Sequence, residues 1–383
     1  MSFFGGRLGF QRFRMKGPAP RIFSGEHLAK LQENGMGRQR IASADGVDTG
    51  WIAGEHILDK SFKLEKNILV DAMQWAMRID TLKLPPELLR AYTSEELIGL
   101  AAANPSGQPS GRQRKEARDR AKDRLEQEAK DGRFLKRRAY AILWDGLSGE
   151  LLISGATPAC MEKLHTLMQQ TFEVELEALT AGRQAYLLSE TRGRTRAIDD
   201  AQPTVFLPGK TPARMQWNPD ESSRDFLGNE FFTWMWHTLD QETDTLPLSD
   251  GSEAAIILVK TLSLECPRGE TGKETITADA PTRLPEARRA LASGKLPRKL
   301  GLVLSRHDQP YEFSWAAENL AVSGLKMPET EATEERTRQE ERLTQTRDFL
   351  ETIDLVFDAF LERRTASGWP DETARIQKWM KQG

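Results

Sequence analysis

The sequence predicts an α+β protein, with mixed sheets packed against helices and a long helix near the end of the chain. Three observations predict it. Residues 139–154 hold two strand-like runs broken at Leu147-Ser148-Gly149, and Pro158 then opens an amphipathic stretch with Met161, Leu164, Leu167 and Met168 on one face. Residues 254–264 are mostly apolar, with Lys260 as the one charge, which reads as a strand. Residues 330–364 read as one helix, acidic at first, with Leu343, Leu350, Ile353, Phe357 and Phe360 at helical spacing later.

The remaining elements follow in order. Residues 3–15 alternate apolar with polar or basic side chains and predict an opening strand, made irregular by Gly5, Gly6 and Gly9. Ser24 caps a helix to about Gln32, ended by the turn signal Asn34-Gly35. Gly50-Trp51-Ile52 and Asn67-Ile68-Leu69-Val70 are further strand material. Leu84-Pro85-Pro86 stops that run, and Pro86 suits the first turn of a helix. A Pro/Gly/Ser linker follows at 103–111, and a polar, Pro-rich loop at 202–220. Residues 226–239 predict a buried helix, and 300–304 with 311–315 a strand pair turning at Asp308-Gln309-Pro310. The chain divides into an N-terminal α+β region (1–110), a charged helix with a β-β-α region (111–245), a β-rich region (246–327), and a closing helix with its tail (328–383).

Composition excludes several classes. At 383 residues, 38% hydrophobic and 29% charged, the chain is an ordinary globular protein, and nothing approaches the roughly 18 apolar residues of a membrane span. The first residues lack the features of a signal peptide, so a cytoplasmic location is expected. Cys160 and Cys266 lie far apart and fit reduced, buried thiols.

Catalytic motifs are weak throughout. Pro208-Gly209-Lys210-Thr211 ends like a phosphate-binding loop, but Thr204 holds the first-glycine position; Gly272-Lys273 is followed by Glu274 and preceded by Pro267 at that position. Both read as surface turns. His27, His56, His165, His237 and His307 are scattered, each reading as a packed or surface histidine, and no metal or cofactor is expected. Glu128-Ala129-Lys130 has nuclease-like spacing but falls within a charged helix. Trp234-Met235-Trp236 reads as core rather than as a base-stacking platform.

The informative segment is 112–138. It holds twelve basic and six acidic residues, a net of +6 that leaves −9 for the rest of a chain whose total is −3. Ala117, Ala121, Leu125 and Ala129 make a thin apolar stripe, and Lys122 with Glu126 exemplifies the i,i+4 pairs of an exposed helix. That solvated-helix reading covers Arg118 and Lys122. After Asp131 the acids cease while Arg133, Lys136, Arg137 and Arg138 remain, a cluster suited to phosphates. Phe134 among them reads as core or interface. Lys260 either ends an exposed edge or reaches a ligand.

In sequence order, several short pieces together resemble the recombination-associated RdgC family of bacterial DNA-binding proteins. They are Phe3-Phe4 with Phe10 and Arg12, Gly50-Trp51, Leu84-Pro85, a charged helix ending near Arg133-Phe134, and Asp145-Gly146-Leu147-Ser148-Gly149. Thr233-Trp234, Gly294-Lys295, Lys299-Leu300-Gly301-Leu302 and Leu325-Lys326 continue the set, so the resemblance spans 3–364. The loops 202–220 and 266–285 are longer than is usual for the family, and the tail 368–383 is extra. The resemblance implies a subunit that pairs into a ring-shaped homodimer with a basic hole. Such a ring encircles double-stranded DNA without sequence preference and restricts RecA recombinase in replication and recombination, at the nucleoid. It implies Phe134 at a subunit contact and Arg133, Lys136 and Arg137 in the lining, with Arg138, Arg118, Lys122, Lys260 and Lys299 as further candidate DNA contacts. A metal-dependent exonuclease and a protein-interaction subunit are the competing expectations.

Overall fold

The computed structural model describes residues 3–37, 46–102, 107–155, 157–207, 209, 215–218, 220 and 222–382. Much of the 202–220 loop, including most of Pro208-Gly209-Lys210-Thr211, and part of the 103–111 linker lie outside the described residues.

The chain opens with β1 (Leu8–Lys16), α1 (Gly25–Glu33), β2 (Val47–Ile52), α2 (Leu64–Asn67), β3 (Ile68–Leu69) and β4 (Ala72–Leu82). Phe3 and Phe4 precede β1 in a turn, rather than in the strand expected from 3–15. Ser24 caps α1 as expected, and Asn34 follows its last residue. Two long helices, α3 (Pro86–Ala102) and α4 (Gly111–Glu128), separate β4 from β5 (Leu135–Asp145). Then come β6 (Glu150–Ser154), α5 (Pro158–Phe172), β7 (Glu175–Ala178), α6 (Ala181–Glu190), α7 (Thr195–Asp199) and α8 (Phe226–Gln241). The second half holds β8 (Thr245–Pro247), β9 (Glu253–Glu265), β10 (Glu274–Ala278), α9 (Pro285–Ala292), β11 (Leu296–Arg306), β12 (Gln309–Ala316) and β13 (Val322–Lys326). The chain closes with α10 (Glu335–Thr365) and α11 (Trp369–Met380).

All strands join one antiparallel sheet, in the order β10-β9-β11-β12-β13-β1-β6-β5-β4-β2, with β3 on β4, β7 on β1 and β8 on β9. The first strand therefore sits mid-sheet, between β13 and β6. Alternation along the strands sends side chains to two cores. Trp75, Ile142, Trp144 and Ile153 face α1 and α5, joined there by Leu28, Leu31 and Leu164. On the opposite side, Phe10, Leu143 and Leu152 join a larger core that runs through α8 and α10. Helix α8 is buried on every side, Trp234, Met235 and Trp236 included, which is why its apolar residues show no single stripe.

Charged side chains clamp α10 to the sheet. Arg12 is 2% exposed and donates to Glu150 at 2.9 Å and to Asp354 at 2.5 Å. Arg347 bridges Asp145 and Asp71 in the same way. The 368–383 tail is not an appendage: Trp369, Ile376, Trp379 and Met380 of α11 lie in the main core. Among the described residues, no helix is long and apolar enough to cross a membrane.

Candidate nucleic-acid interface

β4 and β5 pair from Ala72↔Asp145 to Leu82↔Leu135, and the α3–α4 hairpin is inserted at the far end of that ladder. Ser110 caps α4 by accepting a hydrogen bond from the Gln113 N–H, and the Gln113 side chain returns to the Ser110 N–H at 2.8 Å. Ala117, Ala121 and Leu125 are fully buried, the stripe expected from the sequence. Tyr92 of α3 packs under the Arg124 guanidinium, 3.8 Å from ring centre, and donates to Glu128 at 2.9 Å. Many of the arm's charges are paired: Lys122 with Glu126 (3.3 Å), Arg120 with Glu116 (2.6 Å) and Arg124 with Glu95 (3.0 Å). These pairs are exposed, so each contributes at most about 1 kcal/mol. Arg118 is exposed and has no carboxylate within ion-pair distance among the described residues.

The helix does not reach the cluster expected to carry the most weight. It ends at Glu128, a single 3-10 turn follows, and Gly132 stops it at φ 83°, a conformation glycine adopts freely. Arg133 sits just beyond, its guanidinium held by Asp131 at 2.6 Å and lying 3.7 Å from Glu128. The hydrogen bond from Arg133 holds the Asp131 carboxyl below its usual range, so the Arg133 charge is largely answered locally.

Lys136, Arg137 and Arg138 belong to β5, not to a helix, and the strand pleat splits them. Arg137 points to the face that carries Asp80, 3.6 Å away. Lys136 and Arg138 share the other face, that of Tyr140 and Ile142, and are exposed without an ion-pair partner among the described residues. Phe134 is half-buried and absent from the buried cores; its carbonyl accepts from the Lys83 N–H at 3.1 Å.

Lys260 and Lys299 lie elsewhere, on β9 and β11. Between Leu300↔Leu262 and Leu302↔Leu258 the ladder shifts, so three residues of β9 stand opposite Gly301. Lys260 is at the crest of this bulge, with φ 63°, a strained value for a lysine. The bulge aims it at Glu312, whose carboxyl it holds below the usual range. Thus Lys260 is neither a strand end nor a free cation. Arg7 lies 4.0 Å from the same carboxylate, and Lys326 is paired in register with Glu312. Next to them opens a cavity of about 770 Å³ lined by Arg7, Lys326, Arg338 and Arg342 as well as by Glu329 and Glu335. Sequence reasoning missed Arg7 and Arg342, which lie far apart along the chain.

These two basic groups are not one patch. β5 and β9 stand six positions apart in the sheet, with five strands between them.

Carboxylates also gather beside α10. A cavity of about 400 Å³ is lined by Asp145, Glu150, Glu351, Asp354 and Asp358, among others. Each of them is held by an arginine: Arg347, Arg12, Arg306, Arg12 and Arg192 respectively. Cys160 and Cys266 are free and buried. No known protein family matches the chain in comparison, and no curated protein matches it either.

Proposed function

We propose that the chain binds double-stranded DNA through its phosphate backbone, without reading sequence, and works as a homodimer. In this reading, which rests also on the collinear resemblance to the RdgC family, two subunits close a ring around the duplex and limit access of RecA recombinase at the nucleoid. The observation that carries it is the pair Lys136 and Arg138, exposed on one strand face at the root of an arm that also bears Arg118, each without an ion-pair partner among the described residues. Cations left without carboxylates in a chain of net charge −3 are available to phosphates, whereas Arg133 and Arg137 are partly occupied. A negative outer surface and a positive inner one reconcile the acidic total with DNA binding.

Sedimentation of the full chain with and without a 30-base-pair duplex tests this reading. A dimer that binds duplexes of unrelated sequence alike supports it; a monomer that ignores DNA overturns it.

A further inference from the structure

The end of α8 meets the first turn of α11 in a group of side chains that the DNA-binding reading does not use. His237 is 4% exposed, and its Nδ1 is buried without a hydrogen-bond partner. It faces Glu372 Oε1 at 3.9 Å, too far for a hydrogen bond. Glu372 is itself 5% exposed and gives its other oxygen to Arg375. Glu242 follows the last residue of α8 with non-helical φ −120° and ψ −65°, which brings its carboxylate back toward the same point. One ligand atom from each of the three residues lies within 4.8 Å of the others.

We propose that His237, Glu242 and Glu372 form a divalent-cation site of the zinc type that staples α8 to α11. An imidazole with two carboxylates suits zinc better than magnesium or calcium, which favour all-oxygen sets. Zinc at 2.0–2.1 Å from tetrahedral ligands sets them about 3.3 Å apart, so the side chains would have to draw in from 3.9 Å between His237 and Glu372 and from within 4.8 Å for the group as a whole. Trp379 packs edge-on against that ring, centroids 5.4 Å apart, and donates to Asp240 at 2.9 Å, which walls one side of the group. Arg375 is the competitor. It contacts Glu372 and lies 3.8 Å from Glu242, bridging the two carboxylates that the cation would join, and its exposed side chain can swing away.

The test uses the full chain, freed of metal by chelator dialysis and titrated with zinc by calorimetry, with magnesium as the comparison. The expected result is one zinc per chain, not displaced by magnesium, together with a rise in melting temperature. Glu242→Gln and His237→Gln each weaken binding by more than the roughly 10–100-fold typical of outer-shell partners. Because Glu242 is exposed, Glu242→Gln keeps the fold and the test even if His237→Gln does not. No stoichiometric zinc, or zinc retained equally by Glu242→Gln, would overturn the proposal. The first outcome would mean that Arg375 alone answers the carboxylates, the second that the zinc sits on other histidines.

Discussion

Arg137 reaches across the β4–β5 ladder to Asp80, 3.6 Å away, and so turns from the face that Lys136 and Arg138 share. Three consecutive basic residues therefore do two different things. Each phosphate contact contributes about 0.9 to the slope of log affinity against log salt. Lys136→Ala with Arg138→Ala should reduce that slope by about 2. Arg137→Ala should change it less, because Arg78 still holds Asp80 and the lost charge faced the other way. Fluorescence anisotropy on one duplex at several salt concentrations measures both variants.

The arm's exposed ion pairs and its buried stripe should separate cleanly in stability. Lys122→Ala removes an exposed pair and should cost under about 0.5 kcal/mol. Leu125→Ala opens space at a fully buried position and should cost about 2–5 kcal/mol of local stability. Hydrogen exchange in residues 111–128 reads the difference.

Arg12 is the reverse of an exposed pair. Burial alone would lower its pKa, but Asp354 and Glu150 outweigh that effect and keep it charged. Arg12→Met leaves the buried Glu150, and with it the partly exposed Asp354, without this guanidinium, and should cost about 3 kcal/mol in urea denaturation.

Several of these relationships were legible in the sequence, and others could not be. The Ala117-Ala121-Leu125 stripe and the Ser24 cap are local patterns, and the structure keeps both. Met73, Trp75, Met77 and Ile79 of β4 alternate with Gln74, Arg78 and Asp80, a strand pattern that is legible; that Arg78 and Asp80 are themselves buried as a pair, hydrogen-bonded at 2.7 Å, is what no local window reveals. The pleating of Lys136 to Arg138 depends on pairing with residues 79–81, more than fifty positions earlier, and on Gly132 stopping the helix. Residues 368–383 read as an extra tail because they lie beyond the span of the family resemblance, and only α8 and α10 show what Trp369, Ile376 and Trp379 pack against.

Lys260 tests the bulge. Asparagine tolerates a left-handed backbone, so Lys260→Asn should leave stability within about 1 kcal/mol while freeing Glu312, whose pKa then rises toward its usual value. Gly301→Ala should cost more, about 1–3 kcal/mol, because its Cβ would lie 2.3 Å from the Val259 carbonyl oxygen. Thermal melts of the two variants decide it.

Asp250 sets a pH dependence. Hydrogen bonds from Ser252, then Arg306, pull its carboxyl down from 3.8 to about 2. A lowered acid pKa contributes stability above the unfolded value, and that contribution is lost as pH falls from 3.8 through about 2. Ser252→Ala should raise the Asp250 pKa and narrow this window, as followed by carboxyl NMR during acid titration.

The most direct measurement is the salt dependence of duplex binding by the unmodified chain. With about 6–10 phosphate contacts, affinity should fall about 10³–10⁵-fold between 50 and 200 mM salt, equally for unrelated sequences. Affinity that stays flat across that range, or no binding at the lowest salt, would contradict the account.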